Sequence, residues 1–242
     1  MFASHTLDMA EAFYSLAEMA KKLGHEEEAR RLMEHHAKLK SAFGEDGMMR
    51  ADSDYYEGNR YNYSFRTLSN LKERMELAGA DGEKKLHDEA LKFFGYRDAQ
   101  SVDSRFEGFN NETDMEAPYF LHDIGRRDLL CEVLVSGMES MFTTGTGGIP
   151  GNADSGGLTA CYLWNVLGVW PVSGQDRMIV GTPRYKKAVM HLPGGDFTIE
   201  RQGEGIYVKE AWLDGQRLDR FEFAASRMMQ GGRLVTVHSD RP

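Results

Sequence analysis

Two cysteines, Cys131 and Cys161, are all that this 242-residue chain contains. A single pair is too few for a disulfide framework or a cysteine-based metal cluster. Both fall inside helical patterns and read as buried free thiols. No stretch approaches the roughly 20 consecutive apolar residues that span a bilayer, and the first 20 residues, carrying Asp8, Glu11 and Glu18, read as an amphipathic helix, not as a signal peptide or anchor. Lys/Arg-rich runs are missing too, and the formal net charge is −9. Nucleic acid and anionic membranes are therefore poor partners, because both need clustered positive charge. There is no low-complexity linker and no short solenoid repeat.

What is present is a core. Hydrophobic residues make up 41% of the chain, enough for one large domain or two small ones. Apolar residues recur at helical spacing from Leu7 to Leu23 and from Ala29 to Phe43, with Gly24 and Gly44 as stops. A second helical pair is expected from Phe65 to Ala78 and Glu83 to Phe94, closed by Gly79 and Gly95. A third runs from Ala117 to Ile124 and Arg127 to Phe142, and a further helix follows Asp154 to about Leu167. After Pro171 the pattern changes to short β-branched or alternating runs, namely Arg177 to Val180, Ala188 to Leu192, Phe197 to Arg201, Ile206 to Val208 and Leu234 to His238, with Gly194-Gly195, Asp214-Gly215 and Gly231-Gly232 as turns. The expected fold is mainly α: helical hairpins over residues 1–171, then an antiparallel β module over 172–242.

Three loops between the hairpins are more polar than connectors need: Asp46 to Tyr63, Ser101 to Asp114 and Thr143 to Gly157. In an up-and-down array such connections emerge at one end, so the chemistry is sought there. The first holds Glu57 among Tyr55, Tyr56, Tyr61 and Tyr63. Aromatic faces stack on sugar rings, and partial burial suits a carboxyl to general-acid work. The plain alternative pairs Glu57 with Arg60 or Arg66. The second, Arg105 to Asp114, packs amide and carboxylate oxygens of the kind Ca2+ prefers, but without EF-hand spacing; Asn111 and Glu112 are metal candidates, and helix capping is the alternative. The third runs Gly147-Gly148-Ile149-Pro150-Gly151-Asn152-Ala153-Asp154-Ser155-Gly156-Gly157. Asp154 reads either as an N-cap or as a carboxylate that activates water. The Gly-Lys-Ser/Thr ending of a phosphate loop is absent.

In order, separation and flanking residues these loops resemble glycoside hydrolase family 92, the calcium-dependent α-mannosidases. The matching stretches are Glu57 to Tyr63, Asn111-Glu112 leading to Ala117-Pro118-Tyr119, and Gly148 to Gly156. The likeness continues through Leu158 to Tyr162, Leu167 to Val172, Val180 to Pro183, Phe197 to Ile199 and Gly231 to Leu234. The resemblance implies part of an (α/α)6 toroid followed by β-sandwich strands, and an enzyme that removes terminal α-linked mannose with inversion. By position, Glu57 matches the general acid and Asp154 the base. Asn110, Asn111 and Glu112 match the Ca2+-binding segment, and Glu107, Tyr61 and Asn152 fall at sugar-contacting positions. The implied partner is a mannose-containing glycan, and the family suggests a secreted or periplasmic setting. Where this chain has Asn152 and Ala153, family members usually have an acid at one or both positions. The family also carries an N-terminal β-sandwich and a first half of the toroid, so open hydrophobic edges are expected here, to be met by that half or by a second copy. The alternative is a noncatalytic glycan-binding or assembly module.

Overall fold

In the computed structural model, residues 2–66, 69, 71–95, 106 and 108–242 are described, and they fall in two units, Met1–Glu107 and Gly108–Pro242. The first unit opens with the expected hairpin. Ala3, Leu7, Ala10 and Ala17 lie on one face of helix α1 (Phe2–Lys22) and are buried, which packs α1 on α2 (Glu26–His36). Gly24, at φ +81°, makes the reversal: its N–H donates to Lys21 O and the His25 N–H to Ala20 O, at 3.1 and 2.9 Å, the paired bonds that close a helix on a left-handed residue. A 3-10 turn, Ala37–Ala42, adds Leu39 and Ala42 to a core completed by Phe43, Met49 and Tyr63. On its other face α1 leaves Phe2, Met9, Leu16 and Met19 uncovered; with Leu23 they are 43–67% exposed.

The second pair differs from expectation. Helix α3 occupies Arg60–Ser64, α4 only Leu71–Leu77, and α5 Gly82–Phe94. Phe65 and Arg66 sit in a turn and a bend, while 67, 68 and 70 lie outside the described residues. The Ser64 hydroxyl donates to Arg60 O at 2.5 Å and accepts from Met49 N at 2.8 Å, which ties α3 to the preceding loop. Phe65, Phe93, Phe94 and Phe106 form an aromatic cluster, with ring centroids of contacting pairs 4.9–5.6 Å apart.

In the second unit a short helix α6 (Glu112–Met115) leads through a 3-10 turn, Ala117–Tyr119, to α7 (Phe120–Asp123). Then come α8 (Arg127–Ser140) and α9 (Gly157–Leu167). Strands begin at β1 (Val169–Pro171), beside the sequence boundary at 171. Strands β2 (Met178–Val180), β3 (Lys187–Leu192), β4 (Gly195–Gln202), β5 (Tyr207–Leu213), β6 (Gln216–Arg217) and β7 (Glu222–Phe223) follow, then helix α10 (Ala225–Met228) and β8 (Gly232–Ser239). They form two sheets, ordered β1-β2-β7 and β3-β4-β8-β5-β6. One pairing corrects the antiparallel expectation: β4 and β8 run parallel, Phe197 opposite Gly232 through Gln202 opposite Val237. After β6 the chain gives β7 to the other sheet and returns at Gly232 beside the start of β4. Periodicity carries no strand direction, so this was not readable beforehand.

Helices and sheets are joined by a polar network. Arg177 Nε donates to Glu222 at 2.7 Å and its Nη2 to Asp123; His122 Nε2 donates to Glu222 at 3.3 Å; Arg127 donates to His122 Nδ1 at 3.0 Å and to Val180 O at 2.8 Å. The His122 bond, followed by Arg177, draws the Glu222 pKa down to about 2. Burial lowers that of His122. Both cysteines are buried free thiols, as expected.

Candidate active site

Residues 57–64 of the first unit are organised by Asn59. Its Oδ1 accepts from Tyr61 N at 2.7 Å and Asn62 N at 3.3 Å, while Asn62 Oδ1 accepts from Asn59 N at 3.0 Å, a reciprocal cap that starts α3. Glu57 lies two residues before this cap, exposed and at φ +47°, a left-handed backbone that non-glycine residues seldom adopt and that tends to mark function. The pairing alternative fails for a specific reason. Arg60 reaches Asp46 at 2.5 Å and Arg66 reaches Asp8 at 2.6 Å, so both guanidiniums point to other carboxylates. The tyrosines are partly structural: Tyr63 is buried and donates to Tyr56 O at 2.6 Å, and the Arg60 guanidinium lies 5.9 Å from the centroid of Tyr61. The burial expected around Glu57 is not supplied by the described residues of this unit.

Glu107 lies outside the described residues. From Gly108 onward the second loop is anchored by Phe109, fully buried, whose ring occupies the space that a side chain at Gly137 would need, 2.2 Å from the position of its Cβ. Asn111 occupies the N-cap position of α6, yet its side chain caps nothing. Its Oδ1 is buried and has no hydrogen-bond partner among the described residues; nor has Thr113 Oγ1. Burying an acceptor without a partner costs on the order of 1–3 kcal/mol, so the capping alternative leaves this oxygen unexplained. Thr113 carried no signal in the sequence, since one threonine at a helix start is unexceptional.

The third loop closes on the second. A Cβ at Gly151 would stand 1.8 Å from Asn110 O, and one at Gly157 would stand 4.0 Å from a Glu112 carboxylate oxygen. The glycines therefore let two backbones touch, as their density in the sequence suggested. Asp154 is exposed, in a 3-10 turn whose next residue, Ser155, has φ +51°. The cap of α9 is Gly156, at φ +78°, with no side-chain bond, so the N-cap alternative for Asp154 is not what this chain does. Asn152 is exposed on the same loop. Thus Asn110, Asn111, Glu112, Asn152 and Asp154 are gathered by one pair of loops in the second unit, and Glu57 and Tyr61 belong to the first.

The sequence profile of the glycosyl hydrolase family 92 catalytic domain matches residues 2–240. The chain belongs to this family. Its fold overlays a family GH92 alpha-mannosidase from Bacteroides thetaiotaomicron with a TM-score of 0.85 at 19% identity, covering 99% of this chain and 35% of that one. A family GH92 inverting mannosidase from the same organism gives 0.82 at 20%, with 99% and 37% covered. A curated relative, an uncharacterized secreted glycosidase of Arthroderma benhamiae, is 26% identical over 139 residues, 54% of this chain and 18% of that protein. The family 92 chain described here thus spans little more than a third of the solved relatives' length. Among the described residues no helix is long and apolar enough to cross a membrane, and no group of three His, Cys, Asp or Glu could hold a metal. A cation held at this segment would have to use one amide, one carboxylate and main-chain carbonyls. The buried Asn111 Oδ1, beside Glu112 and the Asn110 carbonyl, fits such hard-oxygen ligation.

Proposed function

We propose that this chain carries the acid, the base and the calcium-binding segment of an inverting α-mannosidase that acts on terminal mannose of a glycan. The observation that carries the reading is the closure of the Asn110–Glu112 segment on the Gly151–Gly157 loop, with Asn111 Oδ1 buried and claimed by no described residue. Glu57 donates its proton to the glycosidic oxygen as the bond to the anomeric carbon breaks. Asp154 takes a proton from the water that attacks that carbon from the opposite face, so the new bond forms with inverted configuration. Room for that water requires the two carboxyl groups to stand about 6.5–9.5 Å apart in the working enzyme. Tyr61, Asn152 and Glu107 contact the sugar. Asn110, Asn111 and Glu112 would hold the cation, which when bound would supply fixed positive charge that orients mannose hydroxyls. A secreted setting agrees with the curated relative's description.

The test is mannose release from an aryl α-mannoside, with Ca2+ or chelator, by the chain and by Glu57→Gln and Asp154→Asn, with the anomer of the product read by NMR. Each substitution is expected to lower the rate about 10²–10⁴-fold, and chelation to abolish it. Unchanged release under both treatments overturns the mechanism. Asn152 and Ala153, at positions where the family usually has an acid at one or both, favour a second reading, a noncatalytic glycan-binding module. Calcium-dependent glycan binding without release, in wild type as in Glu57→Gln, would establish it.

A further inference from the structure

The segment proposed to hold the cation is seated on the last turn of α8 by a group that the mechanism leaves unused. Phe109 N donates to the thioether sulfur of Met141 at 3.3 Å, and a Cβ at Gly108, which sits at φ +91°, would stand 2.2 Å from that sulfur. The Phe109 ring is fully buried and fills the place of the missing side chain at Gly137. Gly137 and Met141 lie one helical turn apart on the same face, joined by the bond from Met141 N to Gly137 O at 3.0 Å. Residue 109 is therefore held at two points of one helix end, by its ring and by its N–H. Asn110 follows directly, its N donating to Gly108 O at 3.0 Å, and carries the carbonyl that lies against Gly151.

A thioether sulfur is a weak acceptor and an oxidisable one. Met141 is only half-buried, so a molecule as small as a peroxide reaches it. The peroxide gives one oxygen atom to a sulfur lone pair: the S–O bond forms as the O–O bond breaks, the sulfur loses two electrons, and the reduced peroxide leaves as water. The apolar, pliable side chain becomes a polar and bulkier sulfoxide. Its sulfur no longer accepts the Phe109 N–H as before, and the backbone at Gly108, already pressed on the sulfur, leaves the new oxygen no room. We infer that Met141 is an oxidation site at which a peroxide unseats Gly108–Asn110 from α8 and so weakens Ca2+ binding by the adjoining Asn111 and Glu112. The calcium step rests on the function proposed above; the unseating does not.

The full chain is treated with hydrogen peroxide in increments, and three quantities are followed: oxidation of each methionine by peptide mass spectrometry, hydrogen exchange of the peptide spanning 108–112, and Ca2+ affinity by calorimetric titration. Met9, Met19 and Met33, 38–60% exposed in the first unit, are expected to react first and serve as the internal control. Exchange of 108–112 should rise, and Ca2+ affinity fall about tenfold or more, in step with Met141 and not with those three, the scale for a group that orients a metal ligand from behind. Methionine sulfoxide reductase should restore both. Met141→Leu, of similar size and without sulfur, should start severalfold weaker and lose nothing further to peroxide. A Met141 that stays reduced once the three exposed methionines are converted overturns the proposal. So do exchange protection that persists with Met141 oxidised and a Met141→Leu chain that responds to peroxide as wild type does. Failure of untreated wild type to bind Ca2+ overturns the calcium reading and the last step with it, while exchange of 108–112 still decides whether Met141 holds the segment.

Discussion

The two units hold their candidate residues by different means. In the first, Glu57 stands exposed on a strained backbone, and the groups around it are committed elsewhere: Arg60 to Asp46, Arg66 to Asp8, Asn59 to its own helix. In the second, two loops interlock through glycines and leave a buried oxygen that no described residue claims. The hairpin α1–α2 shows the same openness as the Glu57 loop, with an apolar row uncovered, whereas the helices of the second unit are locked to its sheets by Arg177, Glu222, His122 and Arg127. A ligand site of the kind proposed can be pre-formed where local contacts determine it. Where they do not, the residue's surroundings have to come from beyond its own loop.

The sharpest way to break that contrast is Gly151→Val. Its side chain would enter the Asn110 carbonyl from a backbone at φ +54°, and the expected cost is more than about 2 kcal/mol together with loss of calcium binding. Calorimetric titration with Ca2+ and thermal unfolding check both. The same substitution at Gly24, whose Cβ meets nothing within 4 Å, should cost less, about 1 kcal/mol of left-handed strain alone. Equal losses at the two sites would show that the loops do not interlock.

A smaller effect is expected from Glu222→Gln, about 1 kcal/mol at neutral pH, and its signature is the pH dependence. The Glu222 pKa is drawn down in the fold from the ordinary 4.5 to about 2, so the unfolded chain takes up the proton first. The stabilisation is therefore full above about pH 4.5 and fades as pH falls toward 2. His122, lowered from 6.5 by burial, acts with the same sign, its contribution fading as pH falls below 6.5. Glu222→Gln should flatten the dependence between pH 4.5 and 2 by the Glu222 share, leaving that of the other lowered carboxylates such as Asp128, and keep the part that begins near 6.5. An acid-unfolding curve parallel to that of wild type throughout would remove Glu222 from the network.

Legibility followed the range of the interactions. The hairpin turn at Gly24 and the Asp214-Gly215 reversal between β5 and β6, at φ +50° and +81°, were readable because a few adjacent residues determine them. The bond from Met49 N to the Ser64 hydroxyl was not, since its partners stand 15 residues apart. The parallel β4–β8 pair escaped for a similar reason. At the site, the sequence pointed to Asn110, Asn111, Glu112 and Asp154 but left capping open for Asn111 and Asp154. Only the three-dimensional arrangement, with Gly156 as the cap and Asn111 Oδ1 without a partner among the described residues, weighs against it.

The finest probe of the comparison is backbone strain itself. Glu57 and Ser155, one in each unit, hold φ near +50°, a conformation that costs a non-glycine residue about 1 kcal/mol which glycine would not incur. Glu57→Gly and Ser155→Gly are each expected to raise stability by up to about that much, read as a small increase in the melting temperature. Their functional outcomes should diverge. Glu57→Gly removes the proposed acid, so mannoside hydrolysis should fall as far as in Glu57→Gln despite the added stability. Ser155→Gly leaves every proposed reacting group in place but loosens the turn that presents Asp154, and hydrolysis should fall only severalfold. Were both substitutions to destabilise the chain, the left-handed turns would be sustained by contacts of the side chains themselves, and strain would not be what sets these two positions apart.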